Sequence, residues 1–287
     1  MKNVKKINKL NEIIDQYDAF LIDAWGVLHD GGKVFPQAYA CLKQLKAHRK
    51  TVVILSNAAR RRADFDKELL ATGIDQSVFD FSLSSGELLW QNFKASRYAQ
   101  YESLGKRCYY LGPKRSQGIL EGLDLSLVNS FEQADFIINA GAEGNLPDAS
   151  SYQDLLQKAV DKNLPMICAN PDLIAIRKGV RGISAGAIAK LYQQLGGEVE
   201  YIGKPHKQIY QECLARLGEI SDHKVLMIGD GLQTDILGAN DQRIDALFIT
   251  SGIYSGQFSE ASGNDTLAEL FSSEGALPDY MIEALVY

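Results

Sequence analysis

Long apolar runs are missing from this chain. No stretch approaches the roughly 20 residues that a membrane-spanning helix needs, so no membrane partner is expected. Basic charge is not in excess either. Lysine and arginine total 30 against 36 aspartates and glutamates, giving a net charge of −6. That balance argues against a nucleic-acid partner, and any anion site must be built locally. Cysteine is sparse and scattered. Cys41, Cys108, Cys168 and Cys213 form no CxxC and no other metal spacing, so buried reduced thiols in a cytoplasmic protein are expected. The N-terminal MKNVKKINKLNEIIDQYDAF is basic but lacks the apolar centre of a signal peptide, and it reads as an amphipathic leading helix. Repeats and low-complexity tracts are absent.

What is present is an alternation of short apolar runs with longer amphipathic ones. The 287 residues, 46% of them hydrophobic, are enough for a sizeable core in one large or two medium domains. AFLID (19–23), TVVILS (51–56), KVLMIGD (224–230) and DALFIT (245–250) read as buried strands. PQAYACLKQLKAHRK (36–50), with Pro36 at its start, and RRADFDKELLATGI (61–74), stopped near Gly73, read as helices. Strands alternating with helices predict an α/β fold with a doubly wound parallel sheet. The middle repeats the pattern with strands over 106–112, 135–141 and 164–170 and a helix over 151–163. Residues 84–182 are therefore expected as an α/β domain inserted into a core of residues 1–83 and 183–287.

In open α/β sheets, sites lie beyond the carboxyl ends of the strands. Polar residues stand at four such ends: Asp23; Ser56 with Asn57; Lys204, just after EVEYIG; and Asp230, with Asp235 five further on. Gathered at one edge, three carboxylates need a cation or protons to coexist. Hard oxygen ligands favour Mg²⁺, which keeps several waters and works on phosphate. Taken singly, Asp23 also reads as an ion-paired strand end and Lys204 as a solvated loop lysine.

IDAWGV, LSN, GKP and GDGLQTDI, in this order, resemble motifs one to four of the haloacid dehalogenase superfamily of aspartate-nucleophile hydrolases. The insert between the second and third resembles the class IIA branch. That branch carries an α/β cap on a Rossmann-like core and includes para-nitrophenyl, pyridoxal, sugar and nucleotide phosphatases. GVLHDGGKVFPQA and CANPD are further echoes of the branch. The resemblance implies that Asp23 attacks phosphorus and that Ser56 and the Asn57 backbone N–H hold the phosphoryl oxygens. Lys204 would neutralise charge, and Asp230 and Asp235 would bind Mg²⁺ together with Asp23 and the backbone carbonyl of residue 25. Ala58, where the usual SNN has its second asparagine, Arg60 of the run Arg60-Arg61-Arg62, and Asp172 of ANPD are expected beside the substrate.

Two places after the nucleophile, such phosphatases carry a second aspartate that protonates the leaving alcohol and then activates water. Here that residue is Trp25, whose indole only donates. The loss falls on acid–base chemistry, worth about 10²–10⁴ in rate. A slow phosphatase, a substitute proton donor with His29 the best placed by sequence, or a changed job for the site are the open alternatives. Trp25 also reads as a lid or a stacking surface. Cap closure would exclude water. Arg177, Lys178 and Arg181 read either as contacts to an anionic substrate or as a solvated basic loop. The resemblance implies a Mg²⁺-dependent phosphatase of a small phosphorylated metabolite. A phosphate-binding or regulatory protein, and an enzyme acting on another bond, are the alternatives. Caps of this branch often carry dimer contacts, so a homodimer is compatible with it.

Overall fold

The computed structural model describes residues 4–95, 101, 103–177, 180–254 and 264–287. Nearly continuous apolar runs are stable as strands only where both faces of a sheet are covered. Four of them form the centre of a seven-stranded sheet built from β1 (Lys5–Lys6), β2 (Ala19–Ile22), β3 (Thr51–Ser56), β4 (Phe81–Ser84), β12 (Val225–Gly229), β13 (Asp245–Ile249) and β14 (Tyr280–Ile282). The spatial order is β1-β14-β13-β12-β2-β3-β4. The pairs β1·β14, β14·β13, β13·β12, β12·β2 and β2·β3 run parallel. From β2 the chain winds outward through β3 to β4, and from β12 it winds the other way. The carboxyl ends of β2 and β12 therefore flank the point where the winding reverses, the usual ligand position in such sheets.

Helix α1 (Pro36–Ala47) begins at Pro36, whose missing N–H costs nothing at a first helical position. It buries Ala38, Cys41, Leu42 and Leu45, the i, i+3, i+4, i+7 face of a helix on a sheet. Each of the two leucines contributes about 2 kcal/mol through burial. The N-terminal segment corrects the sequence expectation. Among its described residues it forms no leading amphipathic helix but an edge strand, β1, followed by two 3₁₀ turns, Leu10–Glu12 and Ile14–Gln16. Its apolar residues Ile7, Leu10, Ile13 and Ile14 are buried, while Lys5 and Lys6 pair β1 with β14. The sheet edge supplied a backbone partner that helical periodicity could not reveal.

A second parallel sheet orders β11 (Val199–Tyr201), β8 (Met166–Cys168), β7 (Phe136–Asn139), β5 (Arg107–Leu111) and β6 (Ser126–Val128). An antiparallel pair, β9 (Ile174–Arg177) and β10 (Val180–Ile183), accompanies it. The chain divides into two units, Met1–Ser56 with Asp66–Leu83 and Lys204–Tyr287, and Asn57–Phe65 with Ser84–Gly203. The division differs from the expected 84–182 insert at two places. Residues 183–203 join the second unit because helix Ala185–Gln194 buries Ile188, Ala189 and Tyr192 in its core and β11 pairs with β8. Residues 57–65 join it because helix Ser85–Lys94 grips them. Gly86 N donates to Ala58 O at 3.1 Å, Ser84 Oγ to Arg60 O at 2.6 Å and Ser85 Oγ to Asn57 O at 2.8 Å. All four cysteines are buried free thiols. No helix among the described residues is long and apolar enough to cross a membrane.

Candidate active site

Parallel register puts the site together. Ile22 of β2 lies beside Ile228 of β12, so the residues just beyond each strand, Asp23 and Asp230, share one edge. Asp23 N donates to Ile228 O at 2.9 Å, which fixes that step. Asp235 returns to the same place on a π-helical turn, Leu232–Ile236, that leaves β12 immediately. Tyr210, fully buried on helix Lys207–Leu217, holds this turn by its hydroxyl, 3.1 Å from Thr234 O and 3.2 Å from Asp235 O.

Asp23, Asp230 and Asp235 are buried, and each offers an oxygen within 4.8 Å of the others. Lys204 is 2% exposed and stands among them. Its Nζ lies 2.5 Å from Asp23 Oδ1 and 2.7 Å from Asp235 Oδ1, and it donates to Leu55 O at 3.0 Å. Burial works against the Lys204 charge, but Asp23 and Asp235 outweigh it and hold its pKa above the ordinary lysine value. Burial first, then the charges of Asp23 and Asp235, push Asp230 well above the carboxylate range. Burial raises Asp235 to about 6, with Lys204 pulling the other way. Three buried carboxylates against one ammonium leave negative charge that only protons or a cation can balance. An all-oxygen donor set of this charge fits a hard divalent cation.

The cradle of Asp230 is made of backbone. Ile253 N donates to its Oδ2 at 2.8 Å, and a Cβ on either Gly26 or Gly252 would fall 2.1 Å from that same oxygen. Gly26 also has φ +82, a conformation that favours glycine. Neither Gly252 nor Ile253 stood out in the sequence.

The other expected residues divide between the units. Ser56 is buried at the end of β3 in the first. Trp25, half-buried, lies in the loop after Asp23 and pairs its backbone with His29. His29 is only 4% exposed, its Nδ1 accepts Gly31 N–H at 2.9 Å, and burial depresses its pKa to about 4. A buried, neutral, hydrogen-bonded ring replaces the loop proton donor considered from sequence. Asn57, Ala58, Arg60 and Asp172 belong to the second unit, where Asn57 Nδ2 donates to Asp172 Oδ1 at 2.8 Å. Of the three consecutive arginines, Arg61 is committed to structure. It pairs with Glu87 at 2.8 Å and stacks on Trp90 with its guanidinium 3.6 Å from the ring centre. Arg181 is exposed on β10, and Lys178 lies outside the described residues.

Fold and site together define a doubly wound α/β protein with a buried cluster of three carboxylates and a lysine at its switch point. The haloacid dehalogenase-like hydrolase profile matches residues 20–126, and a second profile of the same group, HAD-like hydrolases, matches 201–272. A solved haloacid dehalogenase-like hydrolase from Brucella suis 1330 is 31% identical over 98% of this chain and 100% of its own, with a TM-score of 0.84. The sugar-phosphatase AraL of Bacillus subtilis is 27% identical over 75% of this chain and 76% of its own. A 4-nitrophenylphosphatase of Schizosaccharomyces pombe is 22% identical over 99% and 97%. The chain belongs to the haloacid dehalogenase-like hydrolases.

Proposed function

We propose that the protein is a Mg²⁺-dependent phosphatase of a small phosphorylated metabolite that works through an aspartyl-phosphate on Asp23. The observation that carries this reading is Lys204 held between Asp23 and Asp235, with Asp230 completing the acidic cluster. The phosphatase names of the two curated relatives support the reaction class. Asp23, Asp230, Asp235 and the backbone carbonyl of Trp25 would hold Mg²⁺, which when bound supplies positive charge for the phosphoryl oxygens.

Asp23 attacks phosphorus. Lys204 orients its carboxylate and offsets the charge that develops as the phosphoryl group transfers. Ser56 and the Asn57 N–H hold phosphoryl oxygens, and Ala58, Arg60 and Asp172 serve substrate recognition. A phosphate-binding protein with little turnover is the second reading, and Trp25 at the position of the usual acid is the feature that favours it.

The test is phosphate release from para-nitrophenyl phosphate. Turnover that needs Mg²⁺, stops with EDTA and is lost in Asp23→Asn is the expected result. A protein that binds Mg²⁺ and phosphate but neither turns over nor releases a first-turnover burst of nitrophenolate would overturn the proposal in favour of the binding reading.

A further inference from the structure

An alkoxide is a poor leaving group, and a phosphatase acting on alkyl esters must deliver a proton to it. In the loop after Asp23, neither Trp25 nor His29 is placed to do so. Trp25 stands two residues on, and its indole N–H is a donor that does not transfer its proton. Its Nε1 is packed against Gly31, 3.1 Å from where a Cβ there would stand.

His29, the nearest imidazole in sequence, is locked by two kinds of bond. Gly26 N donates to His29 O at 2.9 Å, which fixes the main chain. Gly31 N donates to His29 Nδ1 at 2.9 Å, which fixes the tautomer. With Nδ1 accepting, the ring proton sits on Nε2. Such a ring gives a proton only by becoming an imidazolate, and takes one only by breaking the bond to Gly31. Asp30 is turned back on its own loop, its Oδ1 accepting Gly32 N at 2.8 Å and Lys33 N at 3.0 Å. Lys204 is held between Asp23 and Asp235, and Asp230 is held by Ile253 N. His29, Asp30, Lys204 and Asp230 are thus engaged, and Lys33, the other titratable side chain of this loop, is exposed to solvent.

We infer that the substrate is a phosphate whose leaving oxygen is weakly basic: an aryl, enol or acyl phosphate rather than an alkyl ester. The inference rests on the phosphatase reading above. An Asp23 oxygen forms a bond to phosphorus while the bond from phosphorus to the leaving oxygen breaks. The electron pair of that bond departs with the leaving oxygen as a phenolate, enolate or carboxylate. The anion takes its proton from solvent after it has left. Water then attacks the aspartyl-phosphate, loses its proton to solvent, and releases inorganic phosphate with the Asp23 carboxylate restored.

The experiment compares kcat/KM for acetyl phosphate, for nitrophenyl, chlorophenyl and phenyl phosphates, and for glycerol phosphate as the alkyl ester. Rates should fall steadily as the leaving group becomes more basic. Glycerol phosphate should lie about 10²-fold or more below nitrophenyl phosphate, the scale of a missing general acid. Trp25→Asp should raise glycerol phosphate turnover without raising that of nitrophenyl phosphate. His29→Gln and Lys33→Met should leave the slope unchanged. Glycerol phosphate turned over within tenfold of nitrophenyl phosphate would overturn the inference and leave the phosphatase reading standing. A loss confined to the more basic leaving groups in His29→Gln or Lys33→Met would overturn it too, by revealing the acid. Failure of acetyl and nitrophenyl phosphates alike would remove both. The wild-type slope is decisive even where Trp25→Asp does not fold.

Discussion

Replacing Lys204 by methionine keeps the length of the buried stem and removes only the ammonium. In the native protein that group is 2% exposed, 2.5 Å from Asp23 and 2.7 Å from Asp235. Removing one partner of a buried ion pair costs about 3–5 kcal/mol, because the other charge stays buried without compensation. Here the remaining carboxylates can escape by taking up protons, and that gives the prediction its signature. Burial already raises Asp235 to about 6 while Lys204 holds it down, so losing Lys204 raises it further. A carboxylate with a raised native pKa loses stability as pH rises, since the unfolded chain ionises first. Lys204→Met should therefore lose about 3–5 kcal/mol at pH 7.5 in EDTA, a fall in Tm on the order of 10 °C. At pH 5.5, where Asp235 takes up a proton in the variant, the loss should be less than half as large. Urea unfolding followed by tryptophan fluorescence measures it. Trp25 lies in the first unit and Trp90 in the second, so a Trp90→Phe background reports the unit that holds the cluster. A loss under about 1 kcal/mol at pH 7.5, or an equal loss at both pH values, would refute Lys204 as the charge balance of this cluster.

Mg²⁺ should stabilise the protein more at pH 7.5 than at pH 5.5. Asp230 and Asp235 have raised pKa values and must release protons before they can hold a cation, so equal thermal shifts at the two pH values would count against the site. His29, whose pKa burial lowers to about 4, stays neutral in the fold while the unfolded chain takes up a proton near pH 6.5. It therefore makes stability fall between about pH 6.5 and 4, by at most about 3 kcal/mol. His29→Gln should flatten the stability–pH curve in that window, and parallel curves would disprove the assignment. Gly26→Ala places a Cβ 2.1 Å from Asp230 Oδ2 at φ +82, whereas Gly122→Ala at φ +73 meets nothing within 4 Å. Both pay backbone strain of about 1–3 kcal/mol. Only Gly26→Ala should also abolish the Mg²⁺-dependent thermal shift, and the same shift in both variants would sink the cradle argument.

The amino-acid sequence determined the four central strands of the first sheet and which carboxylates stand at the ends of two of them. Apolar runs of four to six residues encode β2, β3 and β12 locally, and parallel pairing of β2 with β12 then puts Asp23 beside Asp230 without further information. Asp235 was legible for the same reason, five residues beyond Asp230 on a turn that starts at once. The three-dimensional fold alone decided the rest. Lys204 follows β11, which pairs with β8 in the other sheet, so its approach to Asp23 across 181 positions is set by long-range packing. Periodicity could not say that residues 57–65 and 183–203 travel with the second unit, because both choices satisfy a helix or strand pattern equally well. The state of His29 was hidden for a similar reason. A loop histidine reads as exposed and titratable, and only the bond from Gly31 N and the burial around the ring make it a fixed, neutral part of the loop. Local pattern names the groups that a site can use; packing and hydrogen bonding decide which of them remain available for chemistry.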